Sequence, residues 1–438
     1  MRRLIRLAAP LALLMMSGCF FKKETANHGP DLHQGGTIML DKCGYSVSTV
    51  SGASIPEPGT PVLANDPAPK FVHLGVGKDP RTGVAILWRT NDEATLATTV
   101  QYGVNGATDK SENGFTFVYD LNAPTSAGIT TVRMHETHLC GLAPDTEYTY
   151  RVGGSDGNGK ESWSPTYTFR TLPMDPTTEV AMLVIGDTRD GYSTWGNALA
   201  QAYAKMQPDI ILFDGDGTTL GPIQDEWEAW FQAASPELPT APMVLAHGNH
   251  DVSAVNWFSQ FAQPGDEQNF AIDFGAVHLT VANDTPVDAA DLTGTIAQTL
   301  DTNLKAGMTA PWNILMHHKP MYSAAAGPHT ADVTLMRNSW GSIVDGDKVD
   351  VVFNGHDHDY ERSKPMHNNA PQPTTANATV FVVVGSAGAA LYDNGSDFWT
   401  AFSQKTFSFA IVRVRTGSLQ MVAYRDDGTM LDSMMLTK

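Results

Sequence analysis

Residues 351–362 read Val-Val-Phe-Asn-Gly-His-Asp-His-Asp-Tyr-Glu-Arg. An apolar run stops at a glycine and is followed by two imidazoles, His356 and His358, with an acid between them. Along a strand this i, i+2 spacing puts both rings on one side, and past the strand end the chain can turn them toward a common centre. Neutral imidazole is the commonest protein metal ligand, so the pair is a candidate metal grip. Taken alone, two surface or core histidines explain it as well.

Four other runs repeat the pattern. Residues 180–185 lead into Gly186-Asp187-Thr188-Arg189, and 209–213 into Asp214-Gly215-Asp216. Residues 243–246 lead into His247-Gly248-Asn249-His250-Asp251, and 312–316 into His317-His318-Lys319-Pro320. Each run delivers oxygen or nitrogen donors where a strand should end. In layered α/β folds, ligands and catalytic groups collect outside the carboxyl ends of the strands. Five such coincidences in one chain therefore predict a single site.

The surrounding pattern fits such a fold. Stretches 191–206 and 224–234 carry apolar residues at helical spacing, and 298–306 reads as a shorter helix. Residues 269–274 and 276–281, joined at Gly275, read as a hairpin, and 380–384, 406–415, 418–424 and 430–436 are strand-like. The sheets are therefore mixed, and the expected architecture is a four-layer α/β sandwich. No Gly-x-Gly-x-x-Gly element follows a strand, which argues against a dinucleotide cofactor.

Upstream, short alternating runs at 71–74, 83–89, 98–102, 130–139, 147–152 and 166–170 are separated by turns such as Asn105-Gly106 and Asp156-Gly157. That spacing predicts an antiparallel sandwich. Residues 20–70, rich in Gly, Pro, Ser, Thr and Asn, read as a tether with a short ordered piece around Cys43.

The first 18 residues have a basic start, Arg2, Arg3 and Arg6, and then an apolar stretch too short to span a bilayer. They read as a secretory signal. Small residues before Cys19 resemble a bacterial lipoprotein cleavage box, with Met16 in place of the usual Leu. The expectation is an exported protein of the bacterial cell envelope, anchored through a lipid on Cys19; the alternative is an ordinary signal with a coincidental cysteine. Cys43 and Cys140 then allow one pairing, which an oxidising location makes plausible; two separate buried thiols are the equal alternative.

The 438-residue chain carries a formal charge of −19. Without the leader's three arginines it becomes −22 (25 basic minus 47 acidic residues). Such a surface repels long polyanions and excludes nucleic acid as a partner. A small anion at a metal centre remains compatible.

Two resemblances sharpen this reading. Residues 142–152, Leu-Ala-Pro-Asp-Thr-Glu-Tyr-Thr-Tyr-Arg-Val, resemble the turn and strand of fibronectin type III domains, and Val84-Ala85-Ile86-Leu87-Trp88-Arg89-Thr90 looks like the Trp-bearing strand of such a domain. The five strand-end groups together resemble the calcineurin-like metallophosphoesterases. With the preceding domain, the combination resembles their purple acid phosphatase branch. The likeness runs from about Val72 to the C-terminus, and Gly-His-Asp-His-Asp-Tyr-Glu-Arg-Ser is its most specific piece.

The resemblance implies a signal at 1–18, a tether at 19–70, a fibronectin type III-like all-β domain at 71–172 and a metallophosphoesterase domain at 178–438. It implies two metal ions, drawn from Fe, Zn and Mn because the donors are oxygen and nitrogen without thiolate. The first ion would take Asp187 and His358, the second Asn249, His318 and His356, with Asp216 bridging. His250 would give a proton to the leaving group or steady the phosphoryl oxygens. His329 would face substrate, with an exposed loop histidine as the alternative. His317 and His318 compete for one position; the family pattern His-x-Pro-x-Tyr-Ser selects His318, leaving His317 on the opposite side, packed or bonded to backbone. His247 and His278 read as structural.

Two departures stand out. Thr219 occupies the place of the family's tyrosinate, so no charge-transfer colour is expected. Arg189 stands where the wider superfamily often has a histidine; it leaves the first ion short of ligands and suits a phosphate grip. The expected function is hydrolysis of small phosphate monoesters by a metal-bound hydroxide, with no protein partner implied. The alternatives are a phosphodiesterase acting on nucleotides or lipid head groups, and a non-catalytic surface-binding lipoprotein.

Overall fold

The computed structural model describes residues 36–49, 62–286, 288–326 and 330–438. The proposed signal, Cys19 and His329 lie outside the described residues.

Val180–Ile185 is buried at every position, as expected for a strand covered on both faces. It pairs in parallel with Ile210–Phe213, which pairs in parallel with Pro242–Leu245. On its other side it pairs antiparallel with Ser408–Arg415, and the sheet continues through Ser418–Arg425 to Met430–Thr437. A second sheet of seven strands contains the hairpin Phe270–Phe274 and Val277–Val281, then Trp312–Met316 and Val351–Asn354 in parallel. One apolar layer fills the space between the sheets, with Val184, Leu212 and Val244 facing Ile314, Phe353 and Val382.

Helices cover both outer faces. Helix α1 (Tyr192–Lys205) buries Trp195, Ala198, Leu199 and Ala202, and α2 (Gln224–Ala234) buries Trp227, Trp230, Phe231 and Ala234. Both sets follow the i, i+3, i+4, i+7 spacing of an amphipathic helix. They pack on the first sheet with the short α3 (Val255–Gln260). Helix α4 (Thr295–Gly307) and α5 (Thr330–Gly346) cover the second sheet. Helix, sheet, sheet, helix is the expected four-layer order, and it leaves the carboxyl ends of both parallel sets on one rim.

The upstream sandwich is present around Trp88, Val100, Tyr150 and Phe169. One of its sheets is not separate. Lys70–Gly75 pairs antiparallel with Gly83–Thr90 and, through Leu74 and Gly75, in parallel with Pro242 and Met243. A single ten-stranded sheet thus runs from the all-β unit into the α/β unit. Within the segment read as a tether, Gly36–Leu40 and Tyr45–Thr49 form a hairpin. Its turn is tied to the end of Thr131–Cys140 by the Cys43–Cys140 disulfide. On the chain-entropy model, closing a 97-residue separation constrains the unfolded chain by about 4–5 kcal/mol.

An ion pair reinforces the junction. Arg89, on the all-β side, reaches Glu228 of α2, which Lys70 also approaches at 3.3 Å. The Arg89 side chain is 4% exposed and that of Glu228 26% exposed. Burial raises the Glu228 pKa, but Arg89 beside it outweighs burial and holds it below the ordinary value. Glu228→Gln leaves a buried guanidinium without its counter-charge and is expected to cost about 2 kcal/mol, less than a fully buried pair because Glu228 is partly solvated. A depressed carboxylate contributes stability above its unfolded pKa and loses it as pH falls through the folded value. Urea melts at pH 7 should therefore separate variant from parent, and the gap should narrow below about pH 4; a pH-independent gap would contradict the assignment.

Candidate metal centre

The strand-end loops are laced together by main-chain bonds before any side chain is considered. Asp187 N donates to Gly215 O at 2.9 Å, Thr188 N to Asp216 O at 3.1 Å, and Gly355 N to His318 O at 3.0 Å. Three candidate ligands then turn inward from left-handed backbone: Asp187 at φ 50°, Asp216 at 55° and His356 at 70°. Asp and His tolerate that region better than most residues, yet each instance costs of order 1 kcal/mol or more and persists only where the surroundings enforce it. Gly215, at φ 108°, must be glycine for a second reason, since a Cβ there would lie 2.4 Å from His318 Nδ1.

The imidazoles are oriented by their far nitrogens. His318 Nδ1 donates to Asp214 O at 2.8 Å, so Nε2 faces Asn249 Oδ1 at 3.2 Å and Asp216 Oδ2 at 3.4 Å. His358 Nδ1 donates to Ala390 O at 2.8 Å, and its Nε2 lies 3.5 Å from Asp187 Oδ1. Fixing one ring nitrogen on a carbonyl to present the other is the usual support of a metal-binding histidine. His356 packs edge-on to His318, with ring centroids 5.1 Å apart, and its backbone N–H donates to Asp187 Oδ2 at 2.8 Å.

Asp187, Asp216 and His318 bring ligand atoms within 4.8 Å of one another, all buried. Asp187 Oδ1 is enclosed without a hydrogen-bond donor. Burial opposes a positive charge on His318, yet Asp216 and Asp187 beside it raise its pKa well above the ordinary value. Burial likewise opposes the Asp216 carboxylate, and His318 and His250 nevertheless hold its pKa low. A site that favours a cation this strongly, with oxygen and nitrogen donors converging, fits a borderline metal ion.

The remaining candidates fall into place around these. His250 Nδ1 donates to Thr219 O at 2.6 Å, which leaves Nε2 facing the centre, 3.9 Å from Asp216 Oδ2. His317 points away, donating from Nδ1 to Asp284 Oδ2 at 2.8 Å with its ring against Trp340. Its partner is a carboxylate rather than backbone. His247 bonds to Thr285, and His278, near the end of its strand opposite the rim, to Asp273 and Asn303 O. Thr219 turns its hydroxyl onto Asp190, 2.6 Å away. Arg189 enters the centre itself, with Nη2 3.2 Å from His358 Nε2 and Nε 3.8 Å from Asp216 Oδ2.

Two contributors escaped the sequence reading. Asp332, on α5, lies 3.4 Å from His356 Nε2 and 3.5 Å from Lys319 Nζ. Its pKa falls to about 2, chiefly through the bond to His356, with burial acting in the opposite sense. Tyr392 stacks on His358, with centroids 4.2 Å apart. Neither residue follows a strand end, so the pattern that exposed the others carried no signal for them.

Comparison with known proteins agrees with this architecture. Residues 69–171 match the purple acid phosphatase N-terminal domain, and 181–360 match the calcineurin-like phosphoesterase domain. Purple acid phosphatase 21 of Arabidopsis thaliana is 26% identical over 355 residues, covering 76% of this chain and 75% of the relative. A protein named probable inactive purple acid phosphatase 1, from the same plant, is 25% identical over 432 residues, covering 85% of this chain and 70% of its own length. The structure of the purple acid phosphatase from yellow lupin (Lupinus luteus) seeds superposes with a TM-score of 0.73 at 21% identity, covering 84% of this chain and 74% of that one. The all-β unit and the four-layer sandwich thus each match a domain of one family, and the chain belongs to the calcineurin-like metallophosphoesterases of the purple acid phosphatase type, a family of metal-dependent phosphoric ester hydrolases that work with two metal ions.

Proposed function

We propose that the chain hydrolyses small phosphate monoesters at this centre, outside the cytoplasm, with metal drawn from Fe, Zn or Mn. The observation that carries the reading is the convergence of His318 Nε2, Asn249 Oδ1 and Asp216 Oδ2 beside the inward-facing Nε2 of His250. Asn249, His318, His356 and Asp216 would hold metal, with Asp187 and His358 adjoining. Bound there, metal supplies a Lewis acid and an acidified water.

The chain's own residues account for the rest. His250, tautomer fixed by Thr219 O, presents Nε2 as the atom that gives a proton to the departing alkoxide. Asp216 Oδ2 faces that nitrogen from 3.9 Å, and the doubly protonated ring is the form that gives the proton. Arg189 adds a fixed positive charge against the phosphoryl oxygens. The acidic surface disfavours long polyanions but not a small ester that meets local positive charge.

The basic, apolar leader and Cys19 support export with a lipid anchor. Among the described residues no helix is long and apolar enough to cross a membrane. The deciding experiment compares aryl phosphate with bis-aryl phosphate turnover on protein loaded with Mn, Zn or Fe. Preference for the monoester supports the proposal, preference for the diester reassigns the substrate, and no turnover with any metal favours a non-catalytic binding protein.

A further inference from the structure

We propose that the Arg189 guanidinium is the resident cation of the first metal position, so that the chain holds one metal ion tightly instead of two. This rests on reading the site as a metal centre.

Arg189 lies two residues beyond Asp187, and left-handed backbone at Asp187 (φ 50°) and Asp190 (φ 62°) folds the turn back on itself. Both side chains therefore project into the same space. The first position would draw on Asp187, His358 and the shared Asp216. The guanidinium already meets two of these: Nη2 donates to His358 Nε2 at 3.2 Å, and Nε faces Asp216 Oδ2 at 3.8 Å. The third, Asp187, has Oδ1 3.5 Å from the same His358 nitrogen.

The contact with His358 is the telling one. Its Nδ1 proton is committed to Ala390 O, so the neutral ring has a single lone pair, on Nε2, to offer. That lone pair accepts from arginine. A guanidinium stays protonated, cannot ligate and repels a metal ion placed beside it. Arg189 Nε is buried without a hydrogen bond and faces the counter-charge of Asp216 Oδ2 at 3.8 Å, so the guanidinium is held here by His358 and by charge.

Thr219 supplies no anionic oxygen and spends its hydroxyl on Asp190. At the second position His318, Asn249 and Asp216 converge, with His356 packed against His318. The fixed charge of Arg189 thus sits among the donors of the first position.

The test is metal stoichiometry, not turnover. Purified parent protein, Arg189→His and Arg189→Ala are equilibrated with Mn, passed over a desalting column and measured for metal per chain, with manganese paramagnetic resonance on the same samples. The expected result is one ion per parent chain with an uncoupled spectrum, and two ions with a spin-coupled spectrum in Arg189→His, whose second ion binds at least tenfold tighter than in Arg189→Ala. Two tightly held ions in the parent would overturn the inference while leaving the metal centre intact, and the parent alone decides this should a variant misfold. No bound ion in any of the three would overturn the metal-centre reading itself.

Discussion

Asp216→Asn is expected to lower kcat/KM for a phosphate monoester by at least three orders of magnitude, about 4 kcal/mol of transition-state stabilisation, and to strip the protein of metal. Asparagine matches the carboxylate in size and keeps an oxygen for the His250 N–H, which donates to Asp216 Oδ1 at 2.8 Å. The loop should therefore keep its shape. What disappears is the negative charge that draws a cation onto His318, 3.4 Å away, and faces Arg189 and His250 across the centre. Metal content and turnover should fall together while the far-ultraviolet dichroism is unchanged. A variant that retained metal and more than a tenth of the activity would remove Asp216 from the centre of the account.

His250→Ala should separate those two quantities. Metal content is expected to hold, because His250 Nε2 lies 3.9 Å from Asp216 Oδ2 and its Nδ1 is engaged by Thr219 O. Turnover of an alkyl phosphate should fall about 10²–10⁴-fold, the usual worth of a positioned proton donor. An aryl phosphate whose phenolate departs unprotonated should lose far less. The contrast excludes a merely structural role, which would slow both esters alike. Equal losses would leave His250 as a support behind the ligands.

Much of the centre was legible because strand ends leave a strong imprint. A buried parallel strand demands a continuous apolar run, and the polar residues that close it are conspicuous by contrast. Asp187, Asp216, Asn249 and His358 were each found that way, as was the pair His317 and His318, between which only the family pattern chose; the structure places His318 with the others on one rim. Helix α5 was not found. Its buried residues, Val333, Met336, Trp340 and Val344, are spread thinly among Thr, Asn, Ser and Gly, residues of modest helix propensity. Asp332 rides on that helix and was lost with it. Tyr392 was invisible because its place depends on the ring of His358 rather than on a local pattern. The pairing of Leu74 and Gly75 with Pro242 and Met243 spans more than 150 residues of sequence, and nothing local in either strand advertises the partner.

That shared sheet bears on how such a protein can be inherited. Modules joined by a flexible linker can be shuffled between genes, each carrying its own finished surface. Here, excising residues 62–172 would strip Pro242–Leu245 of its neighbour and turn an interior strand into a bare, apolar edge, open to pairing with another copy. The truncated phosphoesterase unit should accordingly self-associate when expressed alone. A lineage in which the first unit contributes a strand to the second can vary its loops freely, but it can shed neither half.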